Sequence, residues 1–343
     1  MSMPTPDDLT RAKRRLHAFE AAFEGVRPGD LKTVLAEHVT PDYRWYGPHP
    51  FRETLDLDGV VEAFWTPFLH AFRFAQRRPA IVFSSVASET PNETWVSSTG
   101  QILGMFEAPW LDIPDTGKLT FVSSCEFHRL EGDRIAETYH LLDVIAVMQQ
   151  AGVDGLPPQT GSPIAFLPPR TQDGLAYGPP ADPDASASML ALMTKLGDDL
   201  GAHPEVDMDP DVLREVWHED MLWWGPAGIG STLSLQGFKD QHQKPYRHSL
   251  YEERTFTGHR ASFAEGDYGG WVGWPSLEER VTRGGFLGMP ATHSLATQRV
   301  VDIYRRERGK MAENWVFIDL LDYLRQLDVD PLARMREMQR RRR

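Results

Sequence analysis

Apolar positions between residues 11 and 38 recur at helical spacing. Leu16, Phe19 and Phe23 form one stripe, and Leu31, Val34 and Leu35 form another beyond the Arg27-Pro28-Gly29-Asp30 break. Two short helices are therefore expected ahead of a first strand at 43–46, which Gly47-Pro48 stops. Residues 59–73 return to helical spacing. The segments 80–86, 94–102, 119–129 and 134–142 then read as strands, and the last runs into a short amphipathic helix at 144–150. Helices set apart from a run of consecutive strands imply an α+β architecture, with a curved, mostly antiparallel sheet that the helices cover.

The same order then repeats. Trp45-Tyr46-Gly47-Pro48 returns as Trp223-Trp224-Gly225-Pro226, and at that same offset Thr54, Leu57, Gly59, Pro67 and His70 meet Thr232, Leu235, Gly237, Pro245 and His248. A second block repeats at a slightly shorter offset and pairs Ala136-Glu137 with Ala312-Glu313, Asp143 with Asp319, and Gln150 with Gln326. So long a period means that each copy is a whole small domain rather than a solenoid unit. The expected division is a first domain at 8–154, a linker at 155–187, a second domain at 188–332 and a basic tail at 333–343. Eight prolines from Pro157 to Pro183 forbid helix and central strand in the linker. Its apolar residues Ile164, Phe166 and Leu167 suggest that it lies on a domain surface rather than swinging free.

Composition narrows the partners. A net charge of −13 and the lack of a basic stripe interleaved with aromatics argue against nucleic acid. The arginine run at the end reads as a solvated helix end. The single Cys125 rules out an intrachain disulfide and fits a reducing compartment. With no signal peptide and no apolar run near the roughly 18 residues of a membrane span, a cytoplasmic protein without membrane attachment is expected.

Candidate chemistry lies on the last strand of each copy. Period two puts Glu137, Tyr139, Leu141 and Asp143 on one face, and Glu313, Trp315, Phe317 and Asp319 on the matching one. A carboxyl among rings loses hydration, and its pKa rises toward the range where it can take and return a proton. Alternatively, each Asp caps the helix that follows. His70 and His248 end the third helix of each copy, either as second proton carriers or as structural hydrogen-bonding groups. His140 alternates away from Asp143. One of Trp45 and Tyr46, and one of Trp223 and Trp224, should line the pocket. Neither a phosphate loop nor a cluster at metal-ligand spacing is present, so no metal or cofactor is expected.

The strand Glu-x-aromatic-x-x-x-Asp, the turn Gly288-Met289-Pro290-Ala291-Thr292 with His293 where Gly is usual, and Gly309-Lys310 together resemble the SnoaL-like polyketide cyclases. The first copy has Pro114-Asp115-Thr116-Gly117-Lys118 at the equivalent turn. The resemblance implies the cone-shaped α+β barrel of nuclear transport factor 2 in each copy, the two packed as a pseudo-dimer that could associate further. It implies that Asp319 and Asp143 act as general acid/base, with His248 and His70 as helpers. Trp315, Tyr139, Trp223, Trp224, Trp45, Tyr46, Glu137 and Glu313 would surround a small apolar or carbonyl substrate. The implied reaction is a cofactor-free aldol cyclisation, isomerisation or dehydration. Members of this fold also include hydrolases and plain binding proteins, so a binding or scaffold protein without catalysis and an epoxide or ester hydrolase stand as alternatives.

Overall fold

The computed structural model describes residues 3–51, 54–163, 166–203, 206, 209–250 and 254–342. Two compact units are formed: unit 1 from residues 1–155, 170–180 and 330–343, and unit 2 from residues 156–169 and 181–329.

Unit 1 opens with helix α1 (Pro6–Ala21), started by a capping box in which the Thr5 hydroxyl accepts from the Asp8 N–H while Asp8 accepts from the Thr5 N–H. Then come α2 (Leu31–Ala36), β1 (Val39–Tyr46), α3 (Leu57–Val60), a π-helical turn at Val61–Trp65 and α4 (Thr66–Ala71). Strands β2 (Phe72–Val86), β3 (Thr94–Phe106), β4 (Lys118–Glu131) and β5 (Arg134–Leu142) follow, and α5 (Val144–Gln150) closes the copy. The sheet order is β1-β5-β4-β3-β2, antiparallel except that β1 runs parallel to β5. Leu16 and Phe19 of α1, with Phe64, Trp65 and Phe68, bury one face of this sheet.

Unit 2 repeats the plan. Helices α6 (Pro183–Ala202) and α7 (Pro210–Val216) precede β6 (Trp217–Trp224) and the short β7 (Thr232–Leu233). They are followed by α8 (Ser234–Phe238), a second π-helical turn at Lys239–Gln243 and α9 (Lys244–Leu250). The remaining strands are β8 (Arg254–Phe256), β9 (Ala261–Glu265), β10 (Tyr268–Arg280), β11 (Leu295–Glu307) and β12 (Lys310–Ile318), before α10 (Leu320–Gln326). The order β7-β6-β12-β11-β10-β8 again sets a parallel first strand against the last. The two π-helical turns stand at the offset that relates Trp45 to Trp223. Gly117 and His293 also correspond, and both are left-handed, with φ of 64° and 56°. Histidine tolerates this region better than branched residues do, so the turn survives without glycine.

The proline-rich segment is shared between the units. In unit 2, Leu167 accepts a hydrogen bond from the Trp315 indole (2.9 Å) and Phe166 meets the Trp315 and Phe317 rings; Ile164 lies outside the described residues. In unit 1, Leu175 bridges to Val82 on β2. The basic end forms α11 (Pro331–Arg342), which belongs to unit 1, where Leu332 and Met335 are buried and Arg336 pairs with Asp112 at 3.0 Å. No described helix is long and apolar enough to cross a membrane.

Candidate functional site

The helix-covered face of each sheet is the one opposite to that expected from strand periodicity. In unit 1 the His140 ring meets Phe64 and Trp65 of the π-helical turn, at 5.5 and 5.9 Å, and His128 meets Phe19 of α1 at 5.7 Å. Glu137, Tyr139 and Asp143 therefore lie on the other face. There Tyr139 stacks on Tyr46 at 4.3 Å and donates to Glu137, which Arg129 holds at 2.9 Å. In unit 2, Trp315 and Phe317 sit under the linker, and Glu313 is paired with Arg305 at 2.5 Å. Trp45 and Trp223 point to the helices, stacked on Phe64 and His242, while Tyr46 and Trp224 take the opposite face.

Both final-strand aspartates cap helices. Asp143 accepts from the Ala146 N–H at 2.9 Å. Asp319 accepts from the Asp322 N–H at 3.2 Å and from Arg299 at 3.4 Å. His70 and His248 are exposed, so the pocket-facing position expected for them is not where they stand. A helix whose inward stripe is occupied by Phe64, Trp65 and Phe68, or by His242, Gln243 and Tyr246, turns the next polar residue outward.

The buried polar groups that face the helices are others. In unit 2 Glu279 of β10 is fully buried. It accepts hydrogen bonds from the Tyr246 hydroxyl of α9, from Gln298 of β11 (2.7 Å) and from the Tyr323 hydroxyl of α10 (3.4 Å). Burial pushes its carboxyl up to about 7, against the opposing pull of these donors and of Arg254. Further along β11, Asp302 accepts from Asn314 at 3.0 Å, and burial raises it likewise to about 7. Between α8 and α9, His242 stacks on Trp223 at 3.9 Å and faces the Tyr246 ring at 5.8 Å. Burial, with Arg247 nearby, lowers its pKa to about 3, so the imidazole is neutral and its Nδ1 is buried without a partner. The loop carrying Phe286 covers Tyr246, ring to ring at 5.2 Å, and is pinned by Ser249, which accepts from the Phe286 N–H and donates to the Gly284 carbonyl.

Unit 1 is built differently at the same positions. At the offsets of the two repeated blocks, His242 answers to Phe64, Tyr246 to Phe68, Gln298 to Val122 and Tyr323 to Val147. Glu279 lies across from Ala296, and the matching Thr120 lies across from Gly104. The whole Glu279 network is thus apolar in unit 1. Instead, unit 1 buries Arg77 forked on Glu126, with His140 at 3.5 Å and His128 at 3.8 Å from the same carboxylate. Burial pushes Glu126 up, but Arg77 outweighs it and holds the carboxyl well below its usual range; burial lowers both imidazoles to about 4. Among the described residues, no group of three or more His, Cys, Asp or Glu side chains is arranged to hold a metal ion.

The stretch from Glu279 through Tyr323 to Leu327 is also where the chain can be placed among known proteins. It matches the model of the SnoaL-like polyketide cyclase over residues 279–327. The match covers 49 of the 343 residues. The matched segment contains Glu279, Gln298, Asp302, Asn314, Asp319 and Tyr323. Among solved structures, the chain is similar to a SnoaL-like protein from Jannaschia sp. CCS1 (18% identity, 46% of this chain and 100% of that one, TM-score 0.33). It is also similar to IdmH from Streptomyces antibioticus (18%, 44% and 100%, 0.35) and to an NTF2-like protein from Burkholderia xenovorans LB400 (16%, 41% and 97%, 0.34). No curated protein sequence matches.

Proposed function

We propose that unit 2 is a cofactor-independent acid/base site of the SnoaL-like type, acting on a small carbonyl compound with Glu279 as the proton carrier. The observation that carries this reading is a fully buried carboxyl, raised to about 7, in a network of two tyrosines and a glutamine that the duplicate copy lacks. A group with a pKa near ambient pH both accepts and returns a proton at little cost, which is the requirement for moving a proton between carbon and oxygen. Glu279 would take the proton next to a carbonyl. Neutral His242 would offer a hydrogen bond to the oxygen on which charge develops, and Tyr246 and Tyr323 would hold the carboxyl in place.

Asp319 then has a supporting part. By capping α10 it fixes the helix that presents Tyr323 to Glu279. Enolisation is the step shared by isomerisation, dehydration and aldol closure, so it is the step to assay. Deuterium uptake by 2-tetralone in heavy water, followed by proton NMR, should be faster with the protein than with buffer, and Glu279→Gln should lose roughly 10²-fold or more of that acceleration. Equal exchange by parent and variant overturns the assignment.

A further inference from the structure

The linker binds unit 2 upstream of its Phe166 and Leu167 contacts as well. The Gln159 side chain accepts from the Gly228 N–H at 3.2 Å, and the Gly161 N–H donates to the Ile229 carbonyl at 2.9 Å. Ser162 and Ser231 exchange two backbone hydrogen bonds at 2.6 and 2.9 Å. Residues 159–162 thus lie as a strap along the loop that follows Trp224. The two backbones touch: a Cβ on Gly161 would stand 2.6 Å from the Gly230 carbonyl carbon, and Gly230 is left-handed at φ 85°, so both positions require glycine.

Between these bonds, the Thr160 hydroxyl donates to the Gln241 carbonyl at 2.6 Å. That carbonyl stands in the π-helical turn, in the peptide that joins Gln241 to His242. In an α-helix its donor would be the N–H of residue 245, but residue 245 is a proline and has none. The turn widens here, with the Lys244 N–H reaching back to Lys239, and the strap brings a hydroxyl to the carbonyl that the proline cannot serve. This stretch of backbone carries both His242, stacked on Trp223, and Tyr246, which donates to Glu279.

We propose that the strap 159–162 is a working part of the unit 2 site, with Thr160 the residue that positions His242 through the Gln241 carbonyl. The inference rests on the reading of His242 as the group that meets the developing charge, and it makes unit 2 dependent on a segment outside the duplicated sequence. Thr160 is exposed, so its bond weighs little in the stability of the fold. A hydrogen bond to the reacting atoms is far less forgiving, because a displacement of about 1 Å costs roughly 100-fold in rate. Release of the Gln241 carbonyl therefore shows in the reaction before it shows in the melting.

The test compares Thr160→Val, which keeps the shape and removes the hydroxyl, with Thr160→Ser, which keeps the hydroxyl, both in the full chain. Deuterium uptake at saturating 2-tetralone should fall about tenfold in Thr160→Val, with KM within about twofold of the parent, and Thr160→Ser should restore it. Gly161→Ala, which drives the strap off Gly230, should reproduce the loss. A second readout needs no turnover. With ring-labelled histidine, the His242 signal, identified by its absence in His242→Phe, should stay still between about pH 5 and about pH 8 in the parent and in Thr160→Ser. In Thr160→Val it should titrate, as the ring leaves Trp223 and gains water. Full exchange in Thr160→Val, or Thr160→Ser as slow as Thr160→Val, overturns the proposal. If the parent itself does not accelerate exchange, the Glu279 reading fails and the His242 signal decides alone: titration in Thr160→Val upholds the strap, and a still signal overturns it.

Discussion

A carboxyl kept protonated by burial destabilises the fold at neutral pH, and this gives a test of Glu279 that requires no substrate. Unfolded, the group titrates near its ordinary 4.5; folded, it titrates near 7. The raised folded value means that the native state holds the proton longer. The stability linked to it is fully present below pH 4.5 and is lost progressively as pH rises to 7. A difference of about 2.5 pH units corresponds to about 3 kcal/mol. Glu279→Gln cannot titrate, and its single amide oxygen can still accept from Tyr246. Relative to the parent it should therefore gain about 3 kcal/mol between pH 4.5 and 7.5. Urea unfolding at closely spaced pH values, with the difference between the two proteins plotted against pH, isolates this group from Glu20 and Asp302, which are raised in the same way. A flat difference across that window would refute the claim that Glu279 carries a proton in the folded state.

Three further outcomes follow from the geometry. Asp319→Asn keeps a capping oxygen, so it should retain ketone exchange within a few-fold, whereas Asp319→Ala should cost about 2 kcal/mol of stability and reduce exchange by displacing Tyr323. Loss of exchange in a stably folded Asn variant would instead make Asp319 the proton carrier. His70→Ala and His248→Ala, both at exposed positions, should change thermal stability by less than about 0.5 kcal/mol and leave exchange intact. Met335→Ala, in the fully buried stripe of α11, should cost about 2–5 kcal/mol and lower the melting of unit 1, although the residue follows unit 2 in the chain; limited proteolysis that finds unit 2 opening first would contradict it.

The duplication, the order of helices and strands and the alternation at Trp45-Tyr46 and Trp223-Trp224 are all legible in the chain, because each rests on local spacing. The inward face of the final strand is not. Period two separates Glu137, Tyr139 and Asp143 from Thr138, His140 and Leu142, but nothing within the strand says which set the helices cover, and rings occur on both sides. Arg77 and Glu279 are harder still. Each stands beyond an irregularity in its ladder, between Arg77 and Arg73 or between Glu279 and Gly273, so alternation counted along the strand does not carry across.

The two copies supply the missing signal if they are read for difference rather than likeness. What both share is devoted to architecture. Asp143 and its counterpart Asp319 each cap a helix, the left-handed turn recurs at Gly117 and His293, and the π-helical turns fall in register. A search for repeated polar residues therefore finds those two aspartates first, at positions that cap a helix in both copies. Most interior groups do not repeat: Glu279, Tyr246, Gln298 and Tyr323 answer to Gly104, Phe68, Val122 and Val147, and His140 answers to Val316, whereas Glu126 answers to the buried Asp302. Packing needs no Glu279, Tyr246, Gln298 or Tyr323, since unit 1 covers the same positions with apolar side chains or a bare glycine. A buried carboxyl that costs stability in one copy and is absent from its twin is what the proposed proton carrier at Glu279 requires.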